Sequence, residues 1–262
     1  MAAPIRLGSL LFTAVEPHRG HEVEYNRWYE YDHFYAGCMV GAHQFSGRRF
    51  VATADLKTLR SPANSPMCPD PTSASYLAIY WVLDGFHSEW SKWAVETVTE
   101  LHAEGRMFAE RDHVHTGLYT HSFATQKHPL ATSIELALDR DFAGLVVTAG
   151  ELADGASMDD IQLWTNETWG PEAFAAGWGP EVIGTSTLLP LPKDAPGVGE
   201  IRTDGSRFIQ LHFCDHKPNL DWDQGYGTWG DKLNQSGLAT HIWTAPYIPT
   251  VTGTDTYTDQ LW

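Results

Sequence analysis

The sequence predicts an α+β chain made of two similar β-α-β-β-α-β halves. Three observations carry this. Strand-like apolar runs alternate with helix-like segments in that order between residues 5 and 123. The order recurs between residues 145 and 247. A 262-residue chain with 42% apolar and 12% aromatic content can bury a substantial core, as one large domain or two smaller ones.

The first strand is predicted over residues 5–15 (IRLGSLLFTAV), and a helix over 21–37 is expected to end at Gly37 and Gly41. Strands at 47–54 and 75–84 flank a Pro/Ser-rich connection, 56–74, long enough to be a binding loop or lid, or else plain surface. Ser88 is the expected N-cap of a second helix that Gly105 closes, and residues 113–123 alternate like a strand. Residues 124–141 read as a hinge. The second half offers a strand at 145–149, a helix from Ser157 (SMDDIQLWTNETW), a strand at 181–191 ended by P-L-P, and a strand at 207–213. A polar helix at 219–233, weakened by Gly225, Gly227 and Gly230, and a strand at 238–247 complete it. The expected boundaries are a first ferredoxin-like repeat at 1–125, a linker at 126–142, a second repeat at 143–250 and a tail at 251–262. Two antiparallel sheets, each with an apolar face, are expected to pack into one pseudo-dimeric α+β barrel with the helices outside.

The most unusual segment is Y-N-R-W-Y-E-Y-D-H, residues 25–33. On an α-helix Asn26, Tyr29 and His33 fall on one stripe at i, i+3 and i+7. An amide, a phenol and an imidazole side by side can hold or move protons, which an apolar stripe cannot. The structural alternative is a helix packing its aromatics on a sheet while His33 bonds a backbone carbonyl. The second unusual segment is residues 113–123, HVHTGLYTHSF. Strict alternation places His113, His115, Gly117, Tyr119, His121 and Phe123 on one face, with Gly117 leaving a gap for a ligand. His113 and His115 also have the form of a metal arm, but no spacing joins them to His33, His43 or Glu135, so no metal is expected. Tyr76, Tyr80 and Asp84 are expected to share a face, as are Gln210 with His212 and His241 with Trp243. Asn166, Glu167 and Trp169 lie on the helix that corresponds to the one carrying Tyr29 and His33.

A formal charge of −16 argues against nucleic acid and anionic membranes as partners. The three cysteines, Cys38, Cys68 and Cys214, have no C-x-x-C spacing and read as reduced thiols of a cytoplasmic protein. No leader and no bilayer-length apolar run is apparent. Glycine-rich nucleotide motifs, a G-x-S-x-G elbow and H-E-x-x-H are all missing, so no nucleotide cofactor is expected.

The element order and Y-N-R-W-Y-E-Y-D-H together resemble the dimeric α+β barrel superfamily, which includes EthD-like, antibiotic-monooxygenase-like and stress-responsive members. Many of these carry W-Y-x-x-x-H in the first helix. The resemblance covers most of residues 5–125 and, more weakly, 143–250. It implies that one chain builds a barrel that other members build as a dimer, making this protein a monomer or a homodimer. Cofactor-free isomerases, cyclases, lyases and monooxygenases belong to that superfamily. The expected function is a cofactor-independent lyase or isomerase acting on a small phenolic or polyketide-like aromatic compound. Retro-aldol cleavage, dehydration and isomerisation are the reactions in view. His33 is the expected general base and Tyr29 its partner or acid, with His121 and Tyr119 completing the catalytic set. Asn26, Trp28, Tyr80, Trp81, His115, His212, His241 and Trp243 are the expected substrate-binding residues. The alternatives are a cofactor-free or haem-dependent monooxygenase of the same fold, and a non-catalytic stress-response barrel that binds small molecules.

Overall fold

The computed structural model describes residues 4–189 and 205–262. Eight antiparallel strands close into one barrel: β1 (Leu7–Pro17), β2 (Gln44–Val51), β3 (Tyr76–Leu83), β4 (Arg111–Gln126), β5 (Gly144–Leu152), β6 (Val182–Leu189), β7 (Arg207–Cys214) and β8 (Ala239–Pro249). The order around it is β1-β3-β2-β8-β5-β7-β6-β4. Each repeat therefore contributes a 4-1-3-2 sheet, and the seams β2–β8 and β4–β6 join the two. The expected ferredoxin-like duplication is the fold of this chain.

Alternate residues of each strand point into the barrel and fill it. Leu10, Phe12, Ala14, Leu77, Ile79, Trp81, Leu145, Val147, Ile209, Leu211, Trp243 and Tyr247 form one continuous core there. The intervening residues face the helices outside. These are α1 (Glu22–Trp28), α2 (Ala54–Lys57), α3 (His87–Ala103), α4 (Met158–Trp164), α5 (Gly170–Ala175) and α6 (Trp229–Ser236).

Several sequence expectations change. Gly37 does not end the first helix; past α1 the chain continues as a π-helix over Tyr29–Met39, with i→i+5 bonds such as Val40 N–H to the Tyr35 carbonyl, 3.1 Å. The same device recurs after α4, at Thr165–Trp169. The α3 helix starts one residue before Ser88, with no side-chain cap. Residues 219–225 form turns, and helical winding begins only near Tyr226, because three glycines disfavour an earlier start. The predicted end of the strand at Leu191 and the P-L-P segment lie outside the described residues.

The connection 56–74 is an ordered plug. Met67 and Cys68 are buried in the barrel core. The Arg60 guanidinium donates to the carbonyls of Pro71, Ser73 and Ala74 and to the Tyr247 hydroxyl. The segment read as a hinge is anchored as well, with Ile134, Leu138 and Phe142 in the core. Residues 251–262 fold back over α1 and the start of the π-helix, where Thr254 O accepts from Asn26 Nδ2 at 2.9 Å and Gly253 N–H donates to Glu30 at 2.7 Å.

Candidate functional site

A cavity of about 450 Å³ lies on the outer face of the first repeat, between the sheet, the π-helix and α3. Its floor is Leu11, Thr13, Thr116 and Leu118; Tyr29, His33 and Cys38 form one wall and Trp90, Val95 and Val98 the other. Met107, Phe108, Arg111 and His113 line the remaining side. The loop bearing Phe108 is tied to the helix by the Arg106–Asp32 ion pair and by Trp28 Nε1 donating to the Arg106 carbonyl at 2.7 Å.

The π-helical winding shapes this wall. Residues five apart come into register, so His33 stacks on Trp28 with ring centroids 4.6 Å apart and planes 17° from parallel. Gly37 matters here. A Cβ on it would lie 2.8 Å from His33 Cε1 and Nδ1, so only glycine lets the imidazole edge rest against the helix. Neither nitrogen of His33 has a protein hydrogen-bond partner among the described residues, and Nδ1 is buried. Burial, followed by the nearby charges of Arg111 and His113, pushes its pKa down to about 3. At neutral pH His33 is an uncharged, unpartnered base.

Tyr29 meets His33 edge-on at 5.2 Å, and its hydroxyl bonds the Tyr80 hydroxyl at 2.7 Å. Burial pushes both phenols well above their usual range, so they act as proton donors and not as bases. Across the floor, His113 Nδ1 bonds Thr116 Oγ1 at 3.1 Å, and Thr116 bonds Thr13 Oγ1 at 2.9 Å. His113 is open to solvent on one side, yet enclosure and Arg111 together hold its pKa down.

The structure brings together His33 and Tyr29, with Trp28 and Tyr80 directly behind them. It separates the others. Asn26 is a buried tie, its Oδ1 accepting from Arg49 at 2.9 Å, because the widened winding turns His33 away from the Asn26 stripe. Arg49 itself pairs with Glu30 at 3.1 Å beneath the Tyr29 ring.

A β-bulge breaks the predicted alternation of β4. Ala14 pairs with His115 but Val15 with His113, which sends His113 outward to the pocket and His115 into the barrel. There His115 Nε2 bonds the Tyr119 hydroxyl at 2.8 Å against Phe12. His121 also points inward, since it pairs with Ser186 and Ser186 with the core residue Ile209. A second shift after His121 turns Phe123 outward to the second repeat's helices. Trp81 and Trp243 are barrel core. The pocket and the His121 side therefore lie on opposite faces of one sheet.

In the second repeat the equivalent face is filled. Trp164 and Trp169, again five apart and stacked, correspond to Trp28 and His33. Thr165 accepts from Gln210 at 2.9 Å, where Tyr29 bonds Tyr80 in the first repeat. His212 is enclosed between Trp169 and Tyr226, bonding Thr148 at 3.1 Å, and burial holds its pKa down to about 3. Gln210 and His212 do share this face. His241 and Trp243 do not, for a bulge between them sends His241 outward, where it bonds Thr244 at 2.9 Å. Among the described residues no group of three or more His, Cys, Asp or Glu could hold a metal, and no helix is long and apolar enough to cross a membrane.

No family model and no curated protein matches the chain. Solved structures do. An anthrone oxidase-like protein superposes with a TM-score of 0.52 at 13% identity, covering 96% of this chain and 98% of its own. A proposed monooxygenase from Fusobacterium nucleatum gives 0.52 at 11%, covering 96% and 95%. A DypB variant from Rhodococcus jostii RHA1 in complex with haem gives 0.53 at 9%, covering 97% and 94%. At such identities the likeness establishes a shared ferredoxin-like α+β barrel and nothing finer.

The last of these binds haem, whose iron takes a His, Cys, Met or Tyr ligand and whose propionates favour cationic partners. Here the Tyr29 hydroxyl is engaged by Tyr80, and burial pushes the Cys38 thiol up, away from the thiolate. The face around His212 is packed solid with tryptophan. In the first-repeat pocket His33 is held by Trp28, Tyr29 and Gly37, and Arg111 is the single Arg or Lys among the described lining residues. These residues do not fit haem.

Proposed function

We propose that this chain is a cofactor-independent enzyme of the antibiotic-monooxygenase-like or EthD-like kind, which deprotonates a flat, enolisable aromatic compound in the first-repeat pocket. The observation that carries the reading is His33, a neutral, desolvated and unpartnered imidazole facing an apolar aromatic-lined cavity beside a hydrogen-bonded phenol pair. Burial leaves His33 a weak base in the empty pocket; a carbanion developing beside the ring offsets this, so that the imidazole accepts a proton from an activated C–H while the flat walls hold the delocalised charge. In the oxygenase reading the carbanion reduces dioxygen and combines with it as a substrate peroxide. Loss of the second C–H proton and cleavage of the O–O bond leave a carbonyl, so that R₂CH₂ and O₂ give R₂CO and water, with His33 returning its proton to the departing hydroxide. The anthrone oxidase-like and monooxygenase-like neighbours favour this outcome.

The lyase or isomerase reading shares the first step. It is favoured by the His113–Thr116–Thr13 chain, which could return the proton to a different carbon of the substrate without oxygen.

His33→Trp tests the site, since the second repeat already accepts tryptophan at the equivalent place, Trp169. The variant is expected to keep its fold and lose binding and turnover of anthrone-type and other phenolic substrates. Full activity in that variant would refute the assignment. Oxygen uptake matching product formation supports oxygenation, while an unchanged anaerobic rate supports the lyase or isomerase.

A further inference from the structure

Among the described residues no carboxylate neutralises the charge on Arg111. Arg6 and Arg19 are exposed to solvent, and Arg27, Arg48, Arg49, Arg106, Arg140 and Arg207 each have a carboxylate partner. The buried Arg60 is capped by carbonyls. Arg111 is half-buried, lines the cavity and makes no ion pair or side-chain hydrogen bond among the described residues. Its guanidinium carbon sits 4.7 Å over the Trp28 ring. This happens in a chain with 33 carboxylates for 17 Lys and Arg, where a partner would be easy to supply. Among the described residues no other Arg or Lys and no Asp or Glu lines the pocket, and the cation itself helps to keep His33 and His113 unprotonated. A guanidinium in a partly desolvated, aromatic-walled cavity offers a fork of donors to an ionised oxygen acid.

We propose that the pocket takes its ligand as a monoanion, a flat aromatic molecule whose ionised phenol, enol or carboxylate group sits on Arg111. This rests on the pocket being the functional site, and it adds what the ligand's charge must be. Arg111 would then hold the acidic end while His33 faces the carbon to be deprotonated, and the same charge would stabilise an enolate as it forms.

The test is binding, independent of turnover. At about pH 7.5 the whole chain is titrated with 2-naphthoate and with its neutral isostere 2-naphthamide, following tryptophan quenching and calorimetry. Naphthoate is expected to bind about tenfold more tightly, with the preference lost in Arg111→Gln and partly restored in Arg111→Lys. Titration with 2-naphthol distinguishes the acid groups: appearance of the naphtholate absorbance on binding marks an ionised phenol as the preferred form, and its absence with tight naphthoate binding marks a carboxylate. Equal binding of naphthoate and naphthamide overturns the proposal while leaving the pocket as a site. A preference that survives in a folded Arg111→Gln protein also overturns it. Binding of none of the probes refutes both the charge assignment and the site.

Discussion

Acid should unfold this protein unusually early, and the histidines set the scale. His33, His115 and His212 are all shielded, and burial holds each down to about 3 from an ordinary 6.5. In the folded protein they stay neutral, whereas in the unfolded chain they take up protons near 6.5. Their neutral burial is therefore free of penalty above that pH, and stability falls progressively below it until the folded-state value is reached. At pH 5 each group has forfeited about 1.5 units, or about 2 kcal/mol at 1.4 kcal/mol per unit, so the three together remove about 6 kcal/mol. His113 shifts the same way but is open to solvent, and no stability is counted for it. Set against a typical total of about 5–15 kcal/mol, this places acid unfolding near pH 5. Asp70, Asp160 and Asp255, held below their usual range by hydrogen bonds, extend the loss at lower pH. Guanidinium unfolding followed by tryptophan fluorescence from pH 8 to 5 measures the slope. His212→Asn should remove about a third of the decline between pH 6 and 5. A loss below about 2 kcal/mol from pH 7 to 5 would refute this account of the buried imidazoles.

Tyr29→Phe leaves the Tyr80 hydroxyl buried without its 2.7 Å partner, so a cost of about 1–2 kcal/mol is expected in denaturant titrations. Glu30→Gln removes the charge that faces Arg49 at the start of the π-helix and is expected to cost about 3–5 kcal/mol by thermal melting, because Arg49 stays buried. Trp169→Ala should open on the second repeat a cavity resembling the first-repeat pocket, at about 3–5 kcal/mol, and a newly acquired affinity for a small apolar dye would report it. The purified protein is expected to show no Soret band, which absorbance spectroscopy checks directly.

The sequence revealed the duplication and the β-α-β-β-α-β order of elements because hydrophobic periodicity is local and survives in both halves. It misled where geometry departs from ideal period. Alternation put three histidines on one face of β4, while a bulge splits His113 from His115 and leaves His121 inside the barrel. One clue was present. Residues 113–119 (HVHTGLY) and 241–247 (HIWTAPY) share His, Thr and Tyr at matching places, and both strands carry the same bulge and the same His–Thr bond. An α-helical stripe likewise joined Asn26 to His33, while the π-helix pairs His33 with Trp28 and leaves Asn26 to the C-terminal tail. No period marked Arg111 as special, since its character lies in the carboxylate it lacks.

By itself the sequence determined that two ferredoxin-like halves share one barrel and that residues 25–33 carry groups able to move protons, for these follow from residue type and local spacing. Tertiary structure decided that the first half keeps a cavity beside its helix, where tryptophans fill the equivalent face among the described residues of the second. At one equivalent place the first repeat has the small imidazole of His33 and the second the broad indole of Trp169. Whether a face is hollow depends on the volume of side chains meeting from several elements, which no single stretch of sequence contains.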